Sequence, residues 1–138
     1  LHDMNSIEEW EMRIRRRVAA RSRPFSNASD LAQVEQAMRA HPASAALWVL
    51  RGDMILLTDE EVAGYPDDEA LQSYLRAADL DPQSPRPPLE IGHFFDAHKD
   101  DPVRALPYFR KAIDLGGGEP AARALEEALR QIEDDSGE

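Results

Sequence analysis

The 138-residue sequence has no cysteine, which excludes disulfides, a thiolate nucleophile and a thiolate metal site. No apolar run is long enough to cross a bilayer, so membrane insertion is not expected. Lysine is nearly missing, two against 14 arginines. With many alanines, that bias suggests a GC-rich bacterial genome. Aromatics make up 7% of the chain, and none interleaves with its arginine cluster. The sequence also lacks HExxH, a phosphate-cradling glycine loop and a nucleophile elbow. With these patterns missing, catalysis, cofactors and resident metals are not expected.

Acid dominates what is present. Hydrophobic residues at 42% and charged residues at 31% suit one soluble globular domain, and the formal net charge is −11. The charge is uneven. Residues 1–23 hold six Arg against four acids, for +2, and the remainder holds ten bases against 23 acids, for −13. So acidic a body repels nucleic acid and anionic membrane and favours basic partners. The missing cysteine suits a cytoplasmic location. Because Leu1 is not an initiator, a removed leader or anchor stays open.

Seven helices are predicted and no stretch shows strand alternation. The first covers residues 6–22, with a Ser6/Glu9 capping box and Ile7, Trp10, Ile14 and Val18 at helical spacing. The second starts near Asp30, with Leu31, Val34, Ala37 and Met38 on one side, and ends before Pro42. Ser44 caps a very apolar third helix reaching about Leu57, and Asp67 caps a fourth reaching about Leu80. The fifth opens at Ser84-Pro85 and runs to about His98. Asp101-Pro102 starts the sixth, Pro107 should bend its first turns, and Gly116 ends it. The seventh opens at Glu119-Pro120 with Leu125, Ala128, Leu129 and Ile132 inward, and residues 134–138 are expected to fray.

Two of these helix pairs repeat each other. Gly52 and Gly92 are 40 residues apart, and Ala70/Ala105, Tyr74/Phe109 and Ala77/Ala112 are each 35 apart. Small residues at fixed offsets in recurring helix pairs mark a stacked helical repeat. On Trp48, Gly52, Ala70, Tyr74, Ala77 and Pro82, then Ile91, Gly92, Phe95, Ala105, Phe109 and Ala112, the chain resembles the tetratricopeptide repeat family. The resemblance implies an all-α, right-handed superhelix of about three antiparallel helix pairs with a capping helix. Its parts would be a divergent pair at 1–42, repeats at 44–82 and 84–115, and a cap at 119–133, all in one domain. The pattern is degenerate: Arg51 stands where the family usually has Leu, and Ile55 where it usually has Tyr.

The resemblance also implies a concave groove lined by the first helix of each pair. Carried over, its residues are Ala46, Val49, Asp53, Leu56 and Leu57, then Arg86, Leu89, His93, Asp96 and Ala97. One subgroup of the family clamps a peptide carboxylate with Lys and Asn at positions held here by Val49, Asp53, Leu89 and His93. No such clamp is expected, and an apolar or basic protein segment is the expected ligand.

A second candidate surface is the acidic stretch Asp59, Glu60, Glu61, Asp67, Asp68 and Glu69 around Tyr65, which could anchor a basic partner or be merely solvated. The third is the Arg-rich first helix, where Arg13, Arg17 and Arg21 share a face. Charge pairing within the chain or across a homodimer explains it better than nucleic-acid binding, which the net charge opposes. His93 and Asp96 share a helical face, but His98 points elsewhere, so a third metal ligand is missing. The function expected is a non-catalytic interaction module, adaptor or scaffold. The alternatives are an acidic immunity- or chaperone-type neutraliser of one basic protein, or a self-assembling structural scaffold.

Overall fold

In the computed structural model, Met12, residues 28–58 and residues 64–137 are described. Apart from Met12, the predicted first helix with its arginines lies outside the described residues, as do Asp59, Glu60 and Glu61. Among the described residues there are six α-helices and no strand: α1 (Ala28–Ala40), α2 (Ala45–Leu57), α3 (Asp68–Leu80), α4 (Arg86–His93), α5 (Pro102–Asp114) and α6 (Gly118–Ser136). They form two compact units, Leu1–Arg76 and Ala77–Glu138, with the boundary inside α3.

Local chemistry sets the helix ends. The Ser44 side chain accepts from the Leu47 N–H at 3.3 Å, and Asp101 Oδ1 accepts from the Arg104 N–H at 3.1 Å. Each satisfies one of the donors that a helix start leaves without a partner. At α3, the Asp67 backbone carbonyl accepts from the Ala70 N–H at 2.9 Å, where the sequence suggested a side-chain cap. The α5 helix stops at Gly116, whose φ of +91° is a left-handed conformation that glycine adopts without a Cβ penalty. There the Gly117 N–H reaches the Ala112 carbonyl at 2.8 Å and the Gly116 N–H reaches that of Ile113 at 2.9 Å. That pair of bonds is the Schellman closure.

In the first unit, α2 is the central element. Leu47, Leu50, Met54 and Ile55 are at most 1% exposed. Trp48 is half-buried and its indole N–H donates to the Pro42 carbonyl at 3.1 Å, tying α2 to the preceding turn. Leu31 and Val34 of α1 are buried, whereas Ala37 and Met38 are half-buried. Tyr74 of α3 packs against Gly52, where an added Cβ would sit 2.5 Å from the ring. The second unit repeats the device, Phe109 of α5 lying over Gly92 of α4. Only a residue without a side chain lets the aromatic reach the helix backbone, which explains the Gly and aromatic positions that recur together.

Three expectations are corrected. The fifth predicted helix does reach His98, but it changes at Phe94 into a π-helical turn, Phe94–His98. The widened turn buries both Phe94 and Phe95 and is followed by Asp100 at φ +51°. In the last helix Leu129 is 43% exposed, not inward; Ala121, Ala124 and Ala128 form the buried stripe. Small residues win that face because they allow α6 to approach closely. Finally, α6 runs on through Ser136, whose hydroxyl donates to the Glu133 carbonyl at 3.0 Å, so the helix extends past the predicted end of the cap at 133.

Candidate functional site

The α2 helix carries two candidate faces on opposite sides. One holds Val49, Asp53, Leu56 and Leu57. Val49 is only 2% exposed, while the two leucines are half-buried. Asp53 is half-buried, and its Oδ1 accepts from the Tyr74 hydroxyl at 2.7 Å. The carboxylate therefore fixes the ring that covers Gly52, besides presenting charge.

The α4 side of the second unit holds Arg86, Leu89, His93 and Asp96. Arg86, Leu89 and Asp96 are half-buried and His93 is exposed. His93 occupies the position after Gly92 that Asp53 occupies after Gly52. Phe109 has no hydroxyl to offer, and the His93 ring instead meets it edge-on at 5.3 Å between centroids. Loss of water on that side lowers the His93 pKa below its ordinary value, although Asp96 and Glu127 pull the other way.

The other face of α2 carries Trp48 and Arg51. Arg51 is 9% exposed, a rare burial for a charged residue. Its Nε donates to Glu35 Oε2 at 3.4 Å, and both terminal nitrogens donate to Glu69 Oε2 at 3.3 Å. One of them also donates to the Ser73 hydroxyl at 2.6 Å. Tyr65 closes the node, its ring centroid 4.8 Å from the guanidinium and its hydroxyl donating to Glu35 Oε2 at 2.8 Å. Burial works against the Arg51 charge, but Tyr65 and Glu35 outweigh it and raise its pKa above the ordinary value. Thus Tyr65, expected to project among acids, is half-buried against Arg51.

A hollow of about 520 Å³ opens over this node, walled by α1, α2 and α3. Arg51 stands out in the sequence as a departure from the repeat pattern, but no spacing there links it with Glu35, Glu69 or Ser73. The available signal was a single charge inside the most apolar helix, which has to find partners on the helices packed beside it. Among the described residues, no group of three His, Asp or Glu side chains could hold a metal ion. No described helix is long and apolar enough to cross a membrane.

No protein-family model matches the sequence, and no curated protein does. The structure does find likeness. It is similar to the crystal structure of the Sgt2 TPR domain from Aspergillus fumigatus, with a TM-score of 0.66 over 93% of this chain and 82% of that one. The fold is TPR-like. Identity is 17%, so the likeness is one of fold. TPR-like folds are stacked helical repeats, and the duplicated Gly–aromatic pairs are the local form of that repeat here.

Proposed function

We propose that the protein is a non-catalytic interaction module that holds an apolar or basic segment of a partner protein. The contact residues are Asp53, Leu56 and Leu57 on α2, and Arg86, Leu89 and His93 on α4 with Asp96 in the π-helical turn that follows, each face taken on its own. The observation that carries this reading is the pair of half-buried leucines on α2 beside the Asp53 carboxylate. Apolar surface next to an acid suits an amphipathic basic segment. Val49, being buried, supports the face from beneath. Glu60 and Glu61 would add negative charge that favours a basic partner, and Tyr65 would join the contact from its place beside Arg51.

A test is selection from a displayed random-peptide library, followed by affinity measurement on the enriched sequences. Apolar and basic peptides are expected. Their affinity should fall about tenfold or more in an Asp53→Asn, Leu57→Glu variant, an effect of the size produced by losing a central contact. Asn keeps an acceptor for Tyr74, so the variant should fold. Enrichment of acidic carboxy-terminal peptides, or unchanged affinity in the folded variant, would overturn the reading. The charge of −11 favours a second version, in which one basic protein is neutralised. That version requires a single partner whose affinity falls steeply with added salt.

A further inference from the structure

We propose that the hollow over Arg51 receives a lysine or arginine side chain from a partner's basic segment. This rests on the interaction-module reading but puts a second contact on the opposite face of α2. The walls combine two chemistries. Met38, Pro42 and Trp48 give apolar surface. Glu35 and Glu69 give carboxylates, with side chains 30% and 38% exposed. Arg51 and Tyr65 occupy only Oε2 of Glu35, and Arg51 only Oε2 of Glu69. Among the described residues, nothing donates to either Oε1 atom. Arg51 thus holds in place two acceptors, from α1 and α3, that each keep one oxygen unspent.

These walls choose the occupant. A purely apolar side chain would cover the unspent oxygens without supplying donors, which is costly. An anion would meet two carboxylates, while Arg51 is already bound between them. An aliphatic stem ending in a cationic donor matches both parts, with the stem against Met38 and Trp48 and the head on the open oxygens. The indole adds attraction for the cation beside its existing contact with Arg51, whose guanidinium carbon is 5.9 Å from the ring centroid. Arg39, exposed on the rim with no ion pair among the described residues, is the one opposing charge not already engaged. It makes the hollow selective for a head that reaches past it to the carboxylates.

The test titrates n-butylguanidinium and n-butylammonium into the protein, with butyrate as the anionic control, and follows the Trp48 indole and Arg51 side-chain N–H resonances. Saturable shifts with the cations and none with butyrate are expected, at roughly millimolar affinity for so small a ligand. Arg39 and Gln72 are exposed, so their variants should fold normally. Arg39→Gln should tighten binding and Gln72→Arg weaken it, each about two- to fivefold, the scale of a solvent-screened charge. Silence with both cations, equal shifts with butyrate, or indifference to both variants overturns the proposal. Library peptides that bind while the cations stay silent would sink the hollow alone and leave the interaction module standing. Cation binding without any enriched peptide would do the reverse.

Discussion

Arg51 and Gly52 are adjacent, and they stabilise the first unit by unrelated means. Arg51 is a buried cation whose worth depends on partners from two other helices. In Arg51→Leu, Ser73 loses a 2.6 Å bond and two half-exposed carboxylates face each other without a cation between them. Charged hydrogen bonds of this kind contribute about 1.5–3 kcal/mol when dry, and the exposure of Glu35 and Glu69 reduces that. We expect a loss of about 1–2 kcal/mol in urea unfolding. No loss would mean that the leucine packs as well as the ion network holds. Gly52 works by absence. In Gly52→Ala the new methyl meets the Tyr74 ring, and Tyr74 is 1% exposed with little room to move. Overpacking costs about 1–3 kcal/mol and the better helix former returns about 1. A net loss of about 1 kcal/mol is expected, shrinking when Tyr74→Leu removes the ring. An equal loss in both backgrounds would place the cost elsewhere than the ring contact.

At the scale of elements, the helix ends were the most legible part of the sequence. Ser44, Asp101 and Gly116 act where their chemistry said they would, because a cap is decided within about four residues. The π-helical turn at Phe94–His98 was not legible. Its sequence reads as ordinary helix, and the extra residue in the turn serves the burial of two adjacent phenylalanines, a tertiary demand. The misplaced Leu129 has a similar origin. Hydrophobic weight pointed to the leucines of α6, but close approach to α5 selected the alanines. The cap at Gly116 allows a clean test of backbone conformation alone. An added Cβ there would have nothing within 4 Å, so Gly116→Ala changes only the cost of φ +91°. About 1 kcal/mol should be lost, and Gly116→Asn should lose less, since Asn tolerates the left-handed region. If Ala and Asn proved equal, side-chain contacts rather than φ would control the site.

For the whole molecule the governing quantity is charge. The acid excess was plain in the composition and the repeat in the residue spacing, because both draw on many residues at once. The Arg51 node was not, because it joins residues as far apart in sequence as Glu35 and Tyr65, 30 positions, and only the packing of three helices assembles it. The same contrast separates two electrostatic effects by their response to salt. The net charge of −11 repels itself across exposed surface and is screened at a Debye length of about 10 Å in ~0.1 M salt. The Arg51 pairs are part-buried and close, and salt weakens them less. Raising sodium chloride from roughly 0.02 to 0.5 M, over which screening tightens severalfold, should therefore raise the midpoint of thermal unfolding. The same change should be smaller in a variant with several exposed acids of α6 neutralised, such as Glu126→Gln with Glu133→Gln and Asp134→Asn. A midpoint that falls with salt would show that attractive surface pairs such as Glu126–Arg130, 3.6 Å apart, outweigh the excess of acid.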